Sequence, residues 1–395
     1  MKSWCKNLLA IGLSMSLMTA CSSNDVEDEP VSELTDIQAT VFPQISWDES
    51  VGDGVGNYYS QLRPAVRYDK IFVADRSGIV TAFAKDSGEQ LWKVDLTDAL
   101  EDKLVTKTKG IRIAAGLTAA RNKVFVGGES GLLVALDQET GEVSWSTFTD
   151  GELLSAPTVG DDVVAVSTSK GAFEAFNVDS GENVWTHEMQ LPTLTLRGTG
   201  SAAFESGGFF IGTADGKVSV IVKSNGQAAW EQTVFNPKGG NEFTRMADVD
   251  MTPLISGDSL YAVSYNGNLV SMELRTGRVK WTRKYSSFNE LAESGFNLFV
   301  VDDHSRIYAV DKRNGLEVWN NTELKNRSLT SPAVVGPYIV VGDYEGYLHF
   351  ISRENGKIVG RIKIDSDGLY SQPLVVDGKI YVQGRSGKVV TVTLP

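Results

Sequence analysis

Cysteine is nearly absent from this 395-residue chain: the two present, Cys5 and Cys21, both lie close to the start. Everything after them folds without a disulfide or a thiol-based site. Histidine is almost as scarce. His187, His304 and His349 stand at unrelated points, and none has the spacing to Glu or Cys that a zinc site needs. Basic charge is in deficit, with 37 Lys and Arg against 50 Asp and Glu. That balance argues against nucleic-acid binding and against broad adhesion to anionic lipid. No stretch shows the period of a long amphipathic helix, although a short helix is expected around Thr97 to Lys103. Phosphate-loop signals are missing too, since Gly127-Gly128 and Gly207-Gly208 precede no helix and carry no Lys. Asp137 and Asp311 recur just before a turn, where a carboxylate caps backbone N–H groups. No catalytic constellation emerges, and no cofactor or metal is implied.

Long apolar runs are lacking except at the N-terminus. Lys2 and Lys6 precede an apolar stretch from Leu8 to Ala20, too short to span a bilayer, so residues 1–20 read as a secretory signal. Its removal takes the net charge from −13 to −15, because it carries two lysines and no acid. Met18-Thr19-Ala20-Cys21 followed by Ser22 resembles the bacterial lipobox. The resemblance implies that Cys21 is lipidated and that the protein is transferred to the outer membrane. Residues 21–40, with Asp25, Glu27, Asp28, Glu29, Glu33 and Asp36, are too polar to build a core and are expected to form a flexible tether.

What the rest contains is a repeat. Gly, three residues, Trp occurs at Gly88/Trp92, Gly141/Trp145, Gly181/Trp185, Gly226/Trp230, Gly277/Trp281 and Gly315/Trp319. A second turn glycine lies ten residues before the first in most copies, as in Gly131 and Gly141. Apolar, β-rich runs such as Val124-Phe125-Val126 and Leu132 to Leu136 flank these turns, which is a hairpin pattern. Prolines at 64, 157, 253, 332 and 373 open a further strand in five copies. Four antiparallel strands every ~40–50 residues make a β-propeller blade. Eight hairpins can be counted, with turns at Gly78, Gly131, Gly171, Gly216, Gly267, His304-Ser305-Arg306, Gly346 and Gly387. The expected fold is therefore an all-β, eight-bladed propeller over residues 41–395.

Two copies break the pattern. The seventh has Gly360 where Trp is expected, and the eighth ends at Leu394 without its outer strand. Val41 to Trp47 supplies a candidate for that strand, with Trp47 in the orphaned position, so the N-terminal strand is expected to close the ring.

Three inter-blade connections are longer than the others: 94–116, 191–198 and 232–250. In a repeat protein such insertions map to loops and often to the binding face. The second, Leu191-Pro192-Thr193-Leu194-Thr195-Leu196-Arg197-Gly198, reads equally as an inner strand with buried leucines or as an exposed loop.

Two family resemblances bear on function. The Ala-Leu-Asp-x-x-Thr-Gly-x-x-x-Trp phrase at 135–145 resembles the tryptophan-docking repeat of pyrroloquinoline quinone (PQQ) enzymes, also eight-bladed propellers. That leaves a quinoprotein-like enzyme or small-ligand binder as the rival reading, although the vicinal cysteine pair typical of those enzymes is absent. The lipobox, the Leu-Pro-x-Leu-x-Leu-Arg-Gly loop and Arg245-Met246-Ala247-Asp248-Val249-Asp250 resemble the BamB family of outer-membrane protein assembly lipoproteins. This resemblance implies a non-enzymatic scaffold of the β-barrel assembly machine that helps barrels fold and insert and can meet nascent outer-membrane proteins. It also implies that the scaffold binds the periplasmic POTRA domains of BamA. By the same carry-over, the contact residues are Leu194, Leu196, Arg197, Asp248 and Asp250.

Overall fold

The computed structural model describes residues 30–100, 111–237 and 240–395. The expected signal, Cys21 and the tether up to Glu29 lie outside the described residues. So do positions 101–110 of the first insertion and Lys238-Gly239 of the third. Of the expected short helix, Leu96–Ala99 is described, and the Asp95 carboxylate caps it by accepting from Thr97 N–H at 2.8 Å.

The described residues form eight four-stranded antiparallel sheets. In the first, Ala65–Arg67, Lys70–Ala74, Ile79–Ala84 and Gln90–Asp95 pair in sequence order, and the next six repeat this meander. The five prolines sit one residue ahead of the innermost strands rather than inside them. Strand chemistry follows position. The two middle strands of each blade are covered on both faces by neighbouring blades and read as apolar runs, Val163–Ser167 being buried throughout. The outer strands face solvent on one side and alternate around a buried Trp, as Asn183–Glu188 does.

Ring closure follows the sequence expectation. The eighth sheet takes Gln44–Ser50 as its outer strand, paired antiparallel with Lys388–Thr393. This strand bulges immediately before Trp47, as the other outer strands do before their tryptophans. Across the seam, Gln383 Nε2 donates to the Ala74 carbonyl at 2.7 Å, and Lys85–Asp377 and Lys379–Asp86 pair reciprocally at 2.6 and 2.7 Å. These surface pairs contribute about 0–1 kcal/mol each, so the apolar seam carries the closure.

The tryptophans join blades rather than fill them. Each indole lies on the turn glycine of the following blade: Trp47 on Gly88, Trp92 on Gly141, Trp145 on Gly181, and so on to Trp319 on Gly356. In six of these contacts the indole N–H donates, at 2.6–3.1 Å, to the carbonyl three residues before that glycine. The seventh copy lacks Trp for a physical reason. A tryptophan there would dock on the turn leading into the outer strand of blade eight, and that strand, Gln44–Ser50, enters from the N-terminal side without such a turn. The incoming N-terminal segment fills the place: Thr40 and Val41 donate to the Val359 carbonyl, and Val41 lies against Gly360.

The stretch expected to be tether is bound to the propeller from Ser32 onward. Leu34 and Ile37 pack against a cluster that includes Phe299, Leu324 and Leu329. Arg327 Nη1 donates to the Ser32 carbonyl and Arg361 Nη1 to the Thr35 carbonyl, at 2.9 and 3.3 Å. A buried pair orders both arginines. Asp343 accepts from Arg327 and, at 2.9 Å, pairs with His349 Nε2, while His349 Nδ1 accepts from Arg361 Nε. Burial holds the imidazole pKa below its usual value, which keeps Nδ1 free to accept.

The docking geometry makes a specific prediction. A Cβ at Gly226 (φ +70°) would stand 2.8 Å from the Trp185 ring, whereas one at Gly257 (φ +61°) meets nothing within 4 Å. Urea unfolding should show Gly226→Ala destabilised by about 2–4 kcal/mol and Gly257→Ala by only about 1. Equal losses would refute inter-blade docking as the cause.

Candidate partner-binding surface

In a four-stranded meander, the hairpin between the middle strands and the link to the next blade emerge at the same end. All three insertions are such links, so they share one face of the ring. Residues 191–198 form no strand; the first strand after Glu188 is Ala203–Glu205. Of the two readings left open, the exposed loop is the one realised, with Leu191 and Arg197 exposed and Leu194 and Leu196 half-buried.

The third insertion runs beside it. Phe243–Arg245 form a single 3-10 turn with Phe243 exposed, and Asn266 from the next hairpin donates to the Phe243 and Met246 carbonyls. Beyond this turn the chain dives inward. Tyr265 N–H donates to the Asp248 carbonyl, and Asp248 Oδ1 accepts the Leu196 N–H at 3.0 Å. That bond couples two insertions 52 residues apart in the chain.

Two of the five carried-over contact residues lie deeper than the other three. Asp248 is fully buried, whereas Asp250, only 8 % exposed, still lines the floor of both concavities beside the loop. Burial pushes the Asp248 pKa up to about 6. Burial, reinforced by the neighbouring Asp248 charge, pushes Asp250 up to about 8. They hold the loop from below: Asp248 by its bond to Leu196, and Asp250 by packing under Gly198 and Gly200. Leu194, Leu196 and Arg197 are the more accessible side chains.

Two concavities flank the loop. One, of about 300 Å³, is lined by Leu154, Met189, Leu191 and Leu196. The other, of about 410 Å³, is rimmed by Leu196 and Arg197 and lined by Tyr59, Arg63, Glu290 and Tyr370. Arg197 reaches sideways to Glu152 at 3.2 Å and Glu129 at 3.4 Å. Neither acid was singled out in the sequence. Glu129 sits in an ordinary hairpin turn and Glu152 in a short link, so only the ring geometry reveals them. Among the described residues no group of three or more His, Cys, Asp and Glu is placed to hold a metal.

Fold and surface define a tryptophan-docked, eight-bladed propeller presenting a braced leucine–arginine loop on one face. The family model described as outer membrane protein assembly factor BamB matches residues 76–321 and 305–393. The chain belongs to that family. It is 71% identical to outer membrane protein assembly factor BamB of Shewanella oneidensis, over 100% of both chains. It is 35% identical to that of Escherichia coli, over 98% of this chain and 99% of the other. The crystal structure of BamB from Moraxella catarrhalis superposes with a TM-score of 0.80 at 26% identity, covering 89% of this chain and all of that one. Quinohemoprotein alcohol dehydrogenase from Comamonas testosteroni reaches a TM-score of 0.69 at 12% identity, over 89% of this chain and 76% of its own. That second likeness is one of fold alone.

The raised carboxyl pKa values fix a sign. An acid whose pKa rises on folding stabilises the fold while protonated in both states, below about pH 4, and loses that contribution as pH climbs through its folded pKa. For Asp248 and Asp250 the loss runs through about 6 and about 8. Melting curves of wild type and Asp250→Asn should lie nearest each other below about pH 4 and separate steadily as pH climbs from about 4 to about 8. By pH 9 the variant should be the more stable. A constant offset across this range would contradict the assignment.

Proposed function

We propose that this chain is a non-enzymatic, lipid-anchored scaffold of the outer-membrane β-barrel assembly machine, held at the periplasmic face of the outer membrane. Its braced loop binds the POTRA domains of BamA, and through them the propeller supports folding and insertion of barrel proteins. One observation carries this reading: the Leu196–Asp248 bond joins two insertions into a preformed surface that displays Leu194, Leu196 and Arg197. The relatives' name supports the process, and the resemblance stated for the loop supports the partner. The physical division of labour is that half-buried leucines supply a small apolar anchor while an exposed arginine sets orientation. A loop already ordered before binding avoids most of the ordering cost that a mobile one would incur.

The test is a titration of the purified full-length protein with isolated POTRA domains. Leu194→Ala combined with Leu196→Ala should weaken binding at least about tenfold, and Arg197→Glu to a similar degree. The melting midpoint should stay within about 2 °C of wild type, since surface substitutions cost little. Undiminished binding in both variants would overturn the assignment of the surface. The anchor is tested separately: Cys21→Ser should move the protein from the outer-membrane fraction to the soluble periplasm.

A further inference from the structure

The guanidinium at the centre of the proposed surface is already spoken for on two sides. Arg197 Nη1 lies 3.2 Å from Glu152 Oε2, and Nη2 lies 3.4 Å from Glu129 Oε1. The other oxygen of Glu129 takes Arg76 Nη2 at 2.7 Å, and the Arg76 guanidinium rests 4.0 Å above the Tyr58 ring. Tyr58, Arg76, Glu129, Arg197 and Glu152 thus form a charge ladder over the face carrying the insertions. Arg76 and Glu129 belong to the hairpins of blades one and two; Glu152 and Arg197 belong to the links entering blades three and four.

The two acids are not equivalent. The Glu129 side chain is 8 % exposed and clamped by Arg76, whereas Glu152 is 38 % exposed and the Arg197 side chain 51 %. A free surface arginine gives up much rotamer entropy when a partner fixes it. Glu129 removes that cost beforehand by holding the guanidinium from the buried side. Glu152 occupies the same guanidinium from the solvent side, where an incoming group has to approach. Like charges cannot share that edge cheaply, so an anionic acceptor has to displace Glu152.

Resting on the function proposed above, we infer that Glu129 is a positioning residue for Arg197, that Glu152 is its competitor, and that the partner presents a carboxylate to Arg197. Opposite effects follow from two chemically identical substitutions. Glu129→Gln frees the arginine and loosens binding, while Glu152→Gln removes the competitor and tightens it. A merely structural role for either acid would not produce opposite signs.

The experiment titrates full-length wild type, Glu129→Gln, Glu152→Gln, Arg197→Ala and both double variants with isolated POTRA domains at low and moderate salt. Roughly fivefold weaker binding is expected for Glu129→Gln and roughly threefold tighter for Glu152→Gln, with both effects vanishing in the Arg197→Ala background. Melting curves recorded alongside separate folding losses from binding losses. If Arg197→Ala weakens binding while both glutamate substitutions are silent, or shift affinity in the same direction, the inference fails and the partner surface stands. Unchanged effects in the Arg197→Ala background overturn it equally. If Arg197→Ala itself binds normally, both this inference and the assignment of Arg197 as a contact fall.

Discussion

The contact between an indole and the next blade's turn glycine is what the rest of the molecule depends on. A single four-stranded blade has two apolar faces and cannot bury either alone, so stability comes from stacking neighbours in a ring. The tryptophan makes that stacking specific. Its ring needs a glycine with no Cβ beneath it, and its N–H donates to a carbonyl at a constant offset from that glycine. An aromatic ring of its own blade backs each indole at 5.8–6.4 Å between centroids. Blade angle and register are set by this contact, and the faces of the ring follow from them.

Closure uses the same contact with the chain running in from the far end. Trp47 docks on Gly88 as the others dock on their glycines, although strand and sheet partner are more than 330 residues apart. The one blade without a tryptophan precedes the one blade without its last turn, so the apparent defect at Gly360 and the missing strand are one event. The segment that fills the gap is then strapped down from Ser32 by two arginines ordered through Asp343 and His349. A ring closed in this way leaves no unpaired end blade and offers a rigid platform for loops.

Much of the candidate site was legible in the chain because insertions stand out against a regular repeat. Leu194, Leu196 and Arg197 lie in a link longer than its counterparts, and the structure keeps them accessible. Asp248 and Asp250 lie in the neighbouring insertion but much deeper than the leucines and Arg197. Nothing in the Asp-Val-Asp pattern signals that the chain turns inward after the Phe243–Arg245 turn. Glu129 and Glu152 carried no signal at all, since each meets Arg197 only because adjacent blades bring their hairpins and links to one face.

What the sequence by itself determined is the periodic part: blade number, strand order, closure by Val41 to Trp47 and the regular placing of the tryptophans. These depend on contacts between equivalent positions of successive copies, so spacing alone encodes them. What only the tertiary structure decided is the aperiodic part: that residues 32–41 are bound rather than free, that Asp248 lies beneath Leu196, and that Arg197 is shared by two glutamates. Those contacts join non-equivalent positions across several blades. No period along the chain records them, because the ring's curvature, and not sequence spacing, brings the partners together.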